Sequence, residues 1–288
     1  MIFYGIYACN LPESLLASSI IYTDLDGTLL DAAYSFDAAL PALRLVREKN
    51  IPLVICSSKT RAEIEHYRTM LGNRHPFISE NGGGIFVPDG YFQPTVYGTQ
   101  LSPDREKEYL VIRLGARYVE LRRAVKELRE KGFGIKGFGD MTVREIAALT
   151  GLSTEEAGMA KERDFDEPFV VDSRGHGLKE LSEAVKAKGF TMTQGRFHHI
   201  LGNSDKGKAV SILSDLFKRQ IDGITTVGIG DSPNDLPMLQ NVDIPVVVQK
   251  SDGSYDPNIR VPALARAQGI GPEGWNNFIR DWLSGSAG

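Results

Sequence analysis

The feature that most constrains this chain is a set of short apolar runs, several of them unbroken, ending in small or acidic residues. Ile51 to Cys56 has the length and character of a strand buried on both faces. Ser19-Ile20-Ile21-Tyr22-Thr23, Pro76 to Ser79, Phe197 to Leu201, Ile224 to Ile229 and Val242 to Val248 read as further strands. Helical patterns separate them. Leu40, Leu43 and Val46 recur at helical spacing within residues 37–49, and helices are expected at 60–71 and from Lys206 to Lys218. This alternation predicts an α/β fold, a doubly wound parallel sheet with right-handed crossovers.

The alternation is interrupted. Residues 85–97 read as a hairpin with Gly90 in its turn, and 117–131 as a charged amphipathic helix. Residues 142–162 read as two short helices about Gly151, Phe169 to Val171 as a strand, and 177–188 as another helix. An inserted α+β module is therefore expected at 85–195, with the core built from 1–84 and 196–288 and residues 1–18 as an N-terminal extension. The 288 residues suffice for two domains at roughly 150 residues each.

Composition excludes several function classes. With 33 Lys and Arg against 37 Asp and Glu, the net charge of −4 gives no general attraction to nucleic acid or anionic lipid. Cys9 and Cys56 are too few for a disulfide framework or a cysteine-only zinc site. The first 22 residues lack a basic start and are broken by Asn10, Pro12 and Glu13, so they do not read as a signal segment. No run reaches the roughly 18 apolar residues of a membrane helix, and a cytoplasmic protein is expected.

Chemistry gathers at strand ends, where ligands of open α/β sheets bind. Asp24 and Asp26 follow the first strand, with Gly27 supplying backbone freedom. Alone, an Asp-Gly pair is ordinary turn chemistry. A second acidic cluster, Gly230-Asp231-Ser232-Pro233-Asn234-Asp235, follows the Ile224 run in the same manner. Two acidic strand ends in one sheet call for a cation, and oxygen-only ligands point to Mg²⁺. Ser57 ends the second strand and can donate to an anion, while Lys206 opens a helix and brings positive charge. Asp, Ser, Lys and Asp at successive strand ends suggest phosphoryl chemistry.

As a set, Asp24-Leu25-Asp26-Gly27-Thr28-Leu29, Ser57, Lys206 and Gly230 to Asp235 resemble the four motifs of the haloacid dehalogenase (HAD) superfamily. The insertion is similar to the α+β cap of its Cof-type and sucrose-phosphatase-type members. Cys56 to Arg61, Ile78 to Gly84, Gly137 to Thr142, Arg163 to Pro168 and Gly195 to His199 resemble the mannosyl-3-phosphoglycerate phosphatase family. The resemblance implies a Mg²⁺-dependent phosphatase for 2-O-mannosyl-3-phosphoglycerate, a small phosphorylated sugar-glycerate. Asp24 would be the nucleophile, already ionised, and Asp26 a general acid and base with its pKa raised by burial. Ser57 and Lys206 would hold the phosphate. Asp24, Asp26 through its carbonyl, and Asp231 would hold the metal, with Asn234 and Asp235 supporting. Lys59, Asn81, Gly82, Arg163, Arg196 and His199 are the expected sugar or carboxylate contacts, with Arg163 carried to the substrate by cap closure. One of His198 and His199 is expected to face the site and the other to face away.

Three readings compete. Another sugar phosphate, such as the glucosyl analogue, keeps the mechanism and changes the substrate. An inactive module binding a phosphorylated ligand keeps only the fold. Gly202-Asn203-Ser204-Asp205-Lys206-Gly207-Lys208-Ala209 nearly matches a nucleotide-binding P-loop, but Ala209 lacks the hydroxyl that would ligate Mg²⁺.

Overall fold

The computed structural model describes residues 19–98, 101–172 and 177–285; the extension 1–18, with Cys9, lies outside the described residues. In chain order the elements are β1 (Ser19–Thr23), α1 (Leu40–Glu48), β2 (Leu53–Cys56), α2 (Arg61–Leu71), β3 (Phe77–Ser79), β4 (Gly84–Pro88), β5 (Asp104–Glu106) and β6 (Tyr109–Arg113). There follow α3 (Tyr118–Glu130), β7 (Ile135–Gly137), α4 (Val143–Thr150), α5 (Thr154–Ala160), β8 (Asp166–Val171), α6 (Leu178–Lys186), β9 (Thr191–Gln194) and β10 (His198–Leu201). The chain ends with α7 (Lys206–Gln220), β11 (Thr225–Gly230), α8 (Leu236–Leu239), β12 (Ile244–Gln249), β13 (Ala265–Ile270) and α9 (Pro272–Ser284).

The larger sheet runs β13-β12-β11-β1-β2-β3-β4-β6-β5. It is parallel from β13 to β3 and antiparallel beyond. Helices cover both faces, which explains the unbroken apolar runs. In β2, Leu53 and Ile55 pack with α1, α2 and α9, while Val54 and Cys56 pack with α7 and α8. The doubly wound reading holds.

The second sheet, β7-β8-β10-β9, is antiparallel and backed by α3 and α6. Its limits differ from the expected 85–195 at both ends. Residues 84–113 extend the large sheet, because the short connection after β3 permits only an antiparallel return. Residues 198–201, read as core, pair with β8 and β9 instead. The final strand was expected at Val242 to Val248, yet β13 follows it as an edge strand with only Ala267 buried. Such a strand carries no apolar run for the sequence to display.

Candidate active site

The parallel pairing of β1 with β11 sets Thr23 beside Ile229, and the Asp24 amide donates to the Ile229 carbonyl at 3.0 Å. The residues just beyond both strand ends therefore converge. Carboxylate oxygens of Asp24, Asp231 and Asp235 lie within 4.8 Å of one another. Lys206, the first residue of α7 and fully buried, reaches Asp24 Oδ1 and Asp235 Oδ1, each at 2.6 Å. Asp235 Oδ2 accepts from the amides of Asp231 and Ser232 at 3.0 and 3.2 Å, so this carboxylate braces the loop. Gly27 has φ +77°, and a Cβ there would stand 2.8 Å from Asp231 Oδ2. Only glycine lets the two acidic loops approach this closely.

Three carboxylates crowd one largely buried space, and two of them share one ammonium. Burial raises the Asp24 carboxyl well above its usual range; Lys206 opposes this, and the charges of Asp235 and Asp231 add to it. Asp231 is pushed up to about 7, first by burial and then by Asp235. Lys206 is held above its ordinary range because Asp235 and Asp24 outweigh its burial. The sequence reading took Asp24 as ionised with no help; in the fold its burial opposes that charge, and Lys206 is the group that favours it. A second positive charge is needed, and an all-oxygen, carboxylate-rich donor set fits a hard divalent cation.

Above this trio lies a cavity of about 300 Å³ between the two sheets' modules. Asp24, Asp26, Lys59, Arg163, Arg196, His199, Asp231 and Asn234 line it, bringing eight of the expected residues together. Lys206 and Asp235 lie behind its floor. Asp26 does not have the burial expected of it: its side chain is 45% exposed and pairs with Lys59 at 3.0 Å. Lys59 is buried, and this pairing with Asp26 and Glu63 outweighs its desolvation to hold its ammonium above the ordinary range. Ser57 is buried off the cavity, its Oγ accepting from the Lys59 amide at 3.2 Å, while Ser58 lines the wall.

Gly82, expected among the substrate contacts, does not line the cavity. It has φ +89°, and a Cβ there would meet the Asp205 carbonyl at 2.1 Å, so it serves the close packing of this loop on α7. Asn81 is also off the lining. Its side chain donates to Asp166 at 2.8 Å and accepts from Asn234 at 3.3 Å. Arg163 donates to the carbonyls of Ser58 and Ala160 at 2.8 and 2.9 Å and lies 3.8 Å from Glu63, so it is already fixed to the core. Arg196 spans the two modules, donating to Tyr34 Oη at 3.0 Å and to the Thr150 carbonyl at 2.8 Å. His199 lines the cavity while His198 packs against the Phe169 ring, as strand alternation requires. Lys208 folds onto Asn203, so the P-loop-like segment holds its second lysine on its own backbone.

Tyr34 and Glu63 were not expected at the site, and Glu80 and Asp166 lie in the motifs Ile78 to Gly84 and Arg163 to Pro168 with no role assigned to them. Tyr34 and Glu63 line the cavity, Asp166 bonds to His199, and Glu80 accepts from the amides of Asp164, Phe165 and Asp166 at 2.8 to 3.2 Å. Glu63 had a visible signal, the Thr60–Glu63 capping box that opens α2. Nothing local marks the other three as partners of remote groups.

The sequence matches the haloacid dehalogenase-like hydrolase family over residues 21–116 and 168–255, more than half of the chain. A glucosyl-3-phosphoglycerate/mannosyl-3-phosphoglycerate phosphatase of Methanococcoides burtonii is 47% identical over 268 residues, 92% of this chain and 97% of that one. A mannosyl-3-phosphoglycerate phosphatase of Pyrococcus furiosus is 40% identical over 230 residues, 80% and 90% of the two chains. Among solved structures, a Thermoplasma acidophilum protein shares the fold with TM-score 0.65 at 16% identity, covering 92% of this chain and 98% of its own. No described helix is long and apolar enough to cross a membrane. Acidic strand ends sharing one buried lysine, a second antiparallel module over them and these matches agree: the chain belongs to the haloacid dehalogenase-like hydrolase family.

Proposed function

We propose that this protein is a cytoplasmic, Mg²⁺-dependent phosphatase that hydrolyses 2-O-mannosyl-3-phosphoglycerate to mannosylglycerate and phosphate. The observation that carries the reading is the cavity's charge pattern. Lys206 serves Asp24 and Asp235, while Lys59, Arg163 and Arg196 line the space above them beside Asp26 and Glu63. Cations beyond those a phosphate requires suit a substrate with a second anionic group, here the glycerate carboxylate. The names of relatives 40–47% identical to this chain support that substrate.

In this reading Asp24 attacks phosphorus and becomes an aspartyl-phosphate, which water hydrolyses. Asp26 gives its proton to the leaving sugar-glycerate oxygen and then takes one from the attacking water. Its pairing with Lys59 must loosen first; the incoming carboxylate draws Lys59 away and frees the acid. Lys206 balances charge at Asp24, and Ser58, with Ser57 buried behind it, shapes the wall where phosphate oxygens lie. Asp24, Asp231 and the Asp26 carbonyl would hold Mg²⁺, whose charge, when bound, offsets the repulsion of one anion by another. Asn234 and Asp235 brace the loop bearing Asp231. The module between the two crossings, from about Ala116 to Gly202, acts as the cap.

Two relatives, 47% and 44% identical, carry both glucosyl and mannosyl names, which favours acceptance of the glucosyl epimer as a second reading. The test is phosphate release from both glycosyl substrates, 3-phosphoglycerate and mannose phosphates, with and without Mg²⁺. We expect kcat/KM for the mannosyl substrate to exceed that for 3-phosphoglycerate and mannose phosphates at least about tenfold, and Asp24→Asn to abolish it. Equal turnover of all the phosphates would remove the substrate assignment. Release that persists without Mg²⁺ or in Asp24→Asn would remove the mechanism.

A further inference from the structure

We propose that Asp166 is a positioning residue that sets the tautomer of His199 and thereby makes the cap wall an acceptor for a glycosyl hydroxyl; this rests on the glycosyl-phosphatase reading above. Asp166 is fully buried at the start of β8. Its two oxygens lie 3.0 and 2.9 Å from His199 Nδ1, across the β8–β10 pairing. Both oxygens face Nδ1 and Oδ2 also accepts from Asn81 Nδ2, so the carboxylate is the acceptor and Nδ1 carries the hydrogen and donates. In the neutral ring the other nitrogen, Nε2, is then an acceptor. His199 lines the cavity, so the ring presents a site for a hydroxyl donor beside the cations that suit the anionic groups.

The surroundings hold Asp166 in this role. Its amide donates to Glu80 Oε2 at 2.8 Å, fixing the backbone to the core. Asn81 Nδ2 donates to Asp166 Oδ2 at 2.8 Å, which turns Asn81 Oδ1 toward Asn234 Nδ2 at 3.3 Å. Asn234 Oδ1 in turn accepts from Ser232 Oγ at 2.5 Å. One oriented chain of hydrogen bonds thus runs from the cap histidine to the loop of Asp231. Every link has a single donor direction once Asp166 is taken as acceptor.

The experiment pairs ring ¹⁵N NMR of His199 with a kinetic cycle. The free wild-type enzyme, at a pH where the ring is neutral, should show Nδ1 protonated. Asp166→Asn keeps the shape but sets an amide donor against Nδ1, so the ring should switch to the Nε2-protonated form. That variant should lower kcat/KM for the mannosyl substrate about tenfold more than for phenyl phosphate, which has no glycosyl group. Acting through His199, it should add little loss in a His199→Ala background. A wild-type ring protonated on Nε2, or an equal loss with and without His199, overturns the proposal. The wild-type spectrum decides even where a variant folds poorly. Failure of the functional reading is separate: it appears as a wild-type enzyme that does not prefer the glycosyl substrate to phenyl phosphate.

Discussion

At the scale of single residues, Lys206 and Asp24 differ in what their loss should do. Lys206 is the shared partner of two buried carboxylates, and removing it leaves Asp24 and Asp235 facing each other without a countercharge. Breaking a buried pair in this way costs on the order of 3–5 kcal/mol. Lys206→Met should therefore lower both Tm and activity, whereas Asp24→Asn should abolish turnover with a small change in Tm. Thermal melts and phosphate release on the two variants check this; a Lys206→Met enzyme as stable as wild type would show that the ammonium does not hold the trio. Asp231→Asn should instead weaken Mg²⁺ binding, read by titration calorimetry. Asp24 and Asp231 were legible because each follows a strand end, and Lys206 because it opens a helix, where the chain's own pattern advertises them. Tyr34 was not, and the motifs holding Glu80 and Asp166 named no partner for either, since a side chain bonded across some 30 to 160 positions leaves no local trace of its partner. The motif around Asp26 singled that residue out, and the structure sets it on the cavity; its exposure and its partner Lys59 depend on how α2 sits.

At the scale of elements, the turn between β3 and β4 ties the core sheet to the segment that enters β8. Glu80 has φ +48° and is fully buried, yet its carboxyl accepts from three successive amides of the segment entering β8. Burial pushes its pKa up to about 8, against the opposing charge of Arg163 and the amide donors. In the unfolded chain it titrates near 4.5. Between those values the folded state binds the extra proton, so this group's stabilisation is full below 4.5 and is lost as pH rises through 8. Wild-type Tm should therefore fall more steeply from pH 5 to 8.5 than that of Glu80→Gln, which cannot titrate. Parallel slopes in the two proteins would remove this account. The same turn explains an error of sequence reading. A Gly-rich hairpin looks like the start of a new module, but β4 has no room to leave β3 and so widens the core sheet. β10 was misplaced for the opposite reason: its apolar residues suit either sheet, and only tertiary pairing with β8 decides.

At the scale of the whole molecule, the two modules are joined by more than their chain crossings. Phe165, from the cap side, is buried in the core's own apolar cluster, above the space left by Gly83, Gly84 and Gly115. Arg163 is bonded to Ser58, and Asp166 to Asn81, on either side of it. The segment 163–166 is thus tied to the core at Arg163, Phe165 and Asp166 in this structure. An interface that continues one module's core should couple their unfolding, so calorimetry should show one transition with equal calorimetric and van 't Hoff enthalpies. Phe165→Ala deletes the shared side chain at a cost of about 3–5 kcal/mol and leaves both sheets otherwise intact. It should separate cap and core into two transitions, and it should raise KM more than it lowers the activity toward phenyl phosphate. A variant that still melts in one step, merely at lower temperature, would show that Phe165 is not needed for the coupling and that the crossings with the bonds of Arg163 and Asp166 suffice.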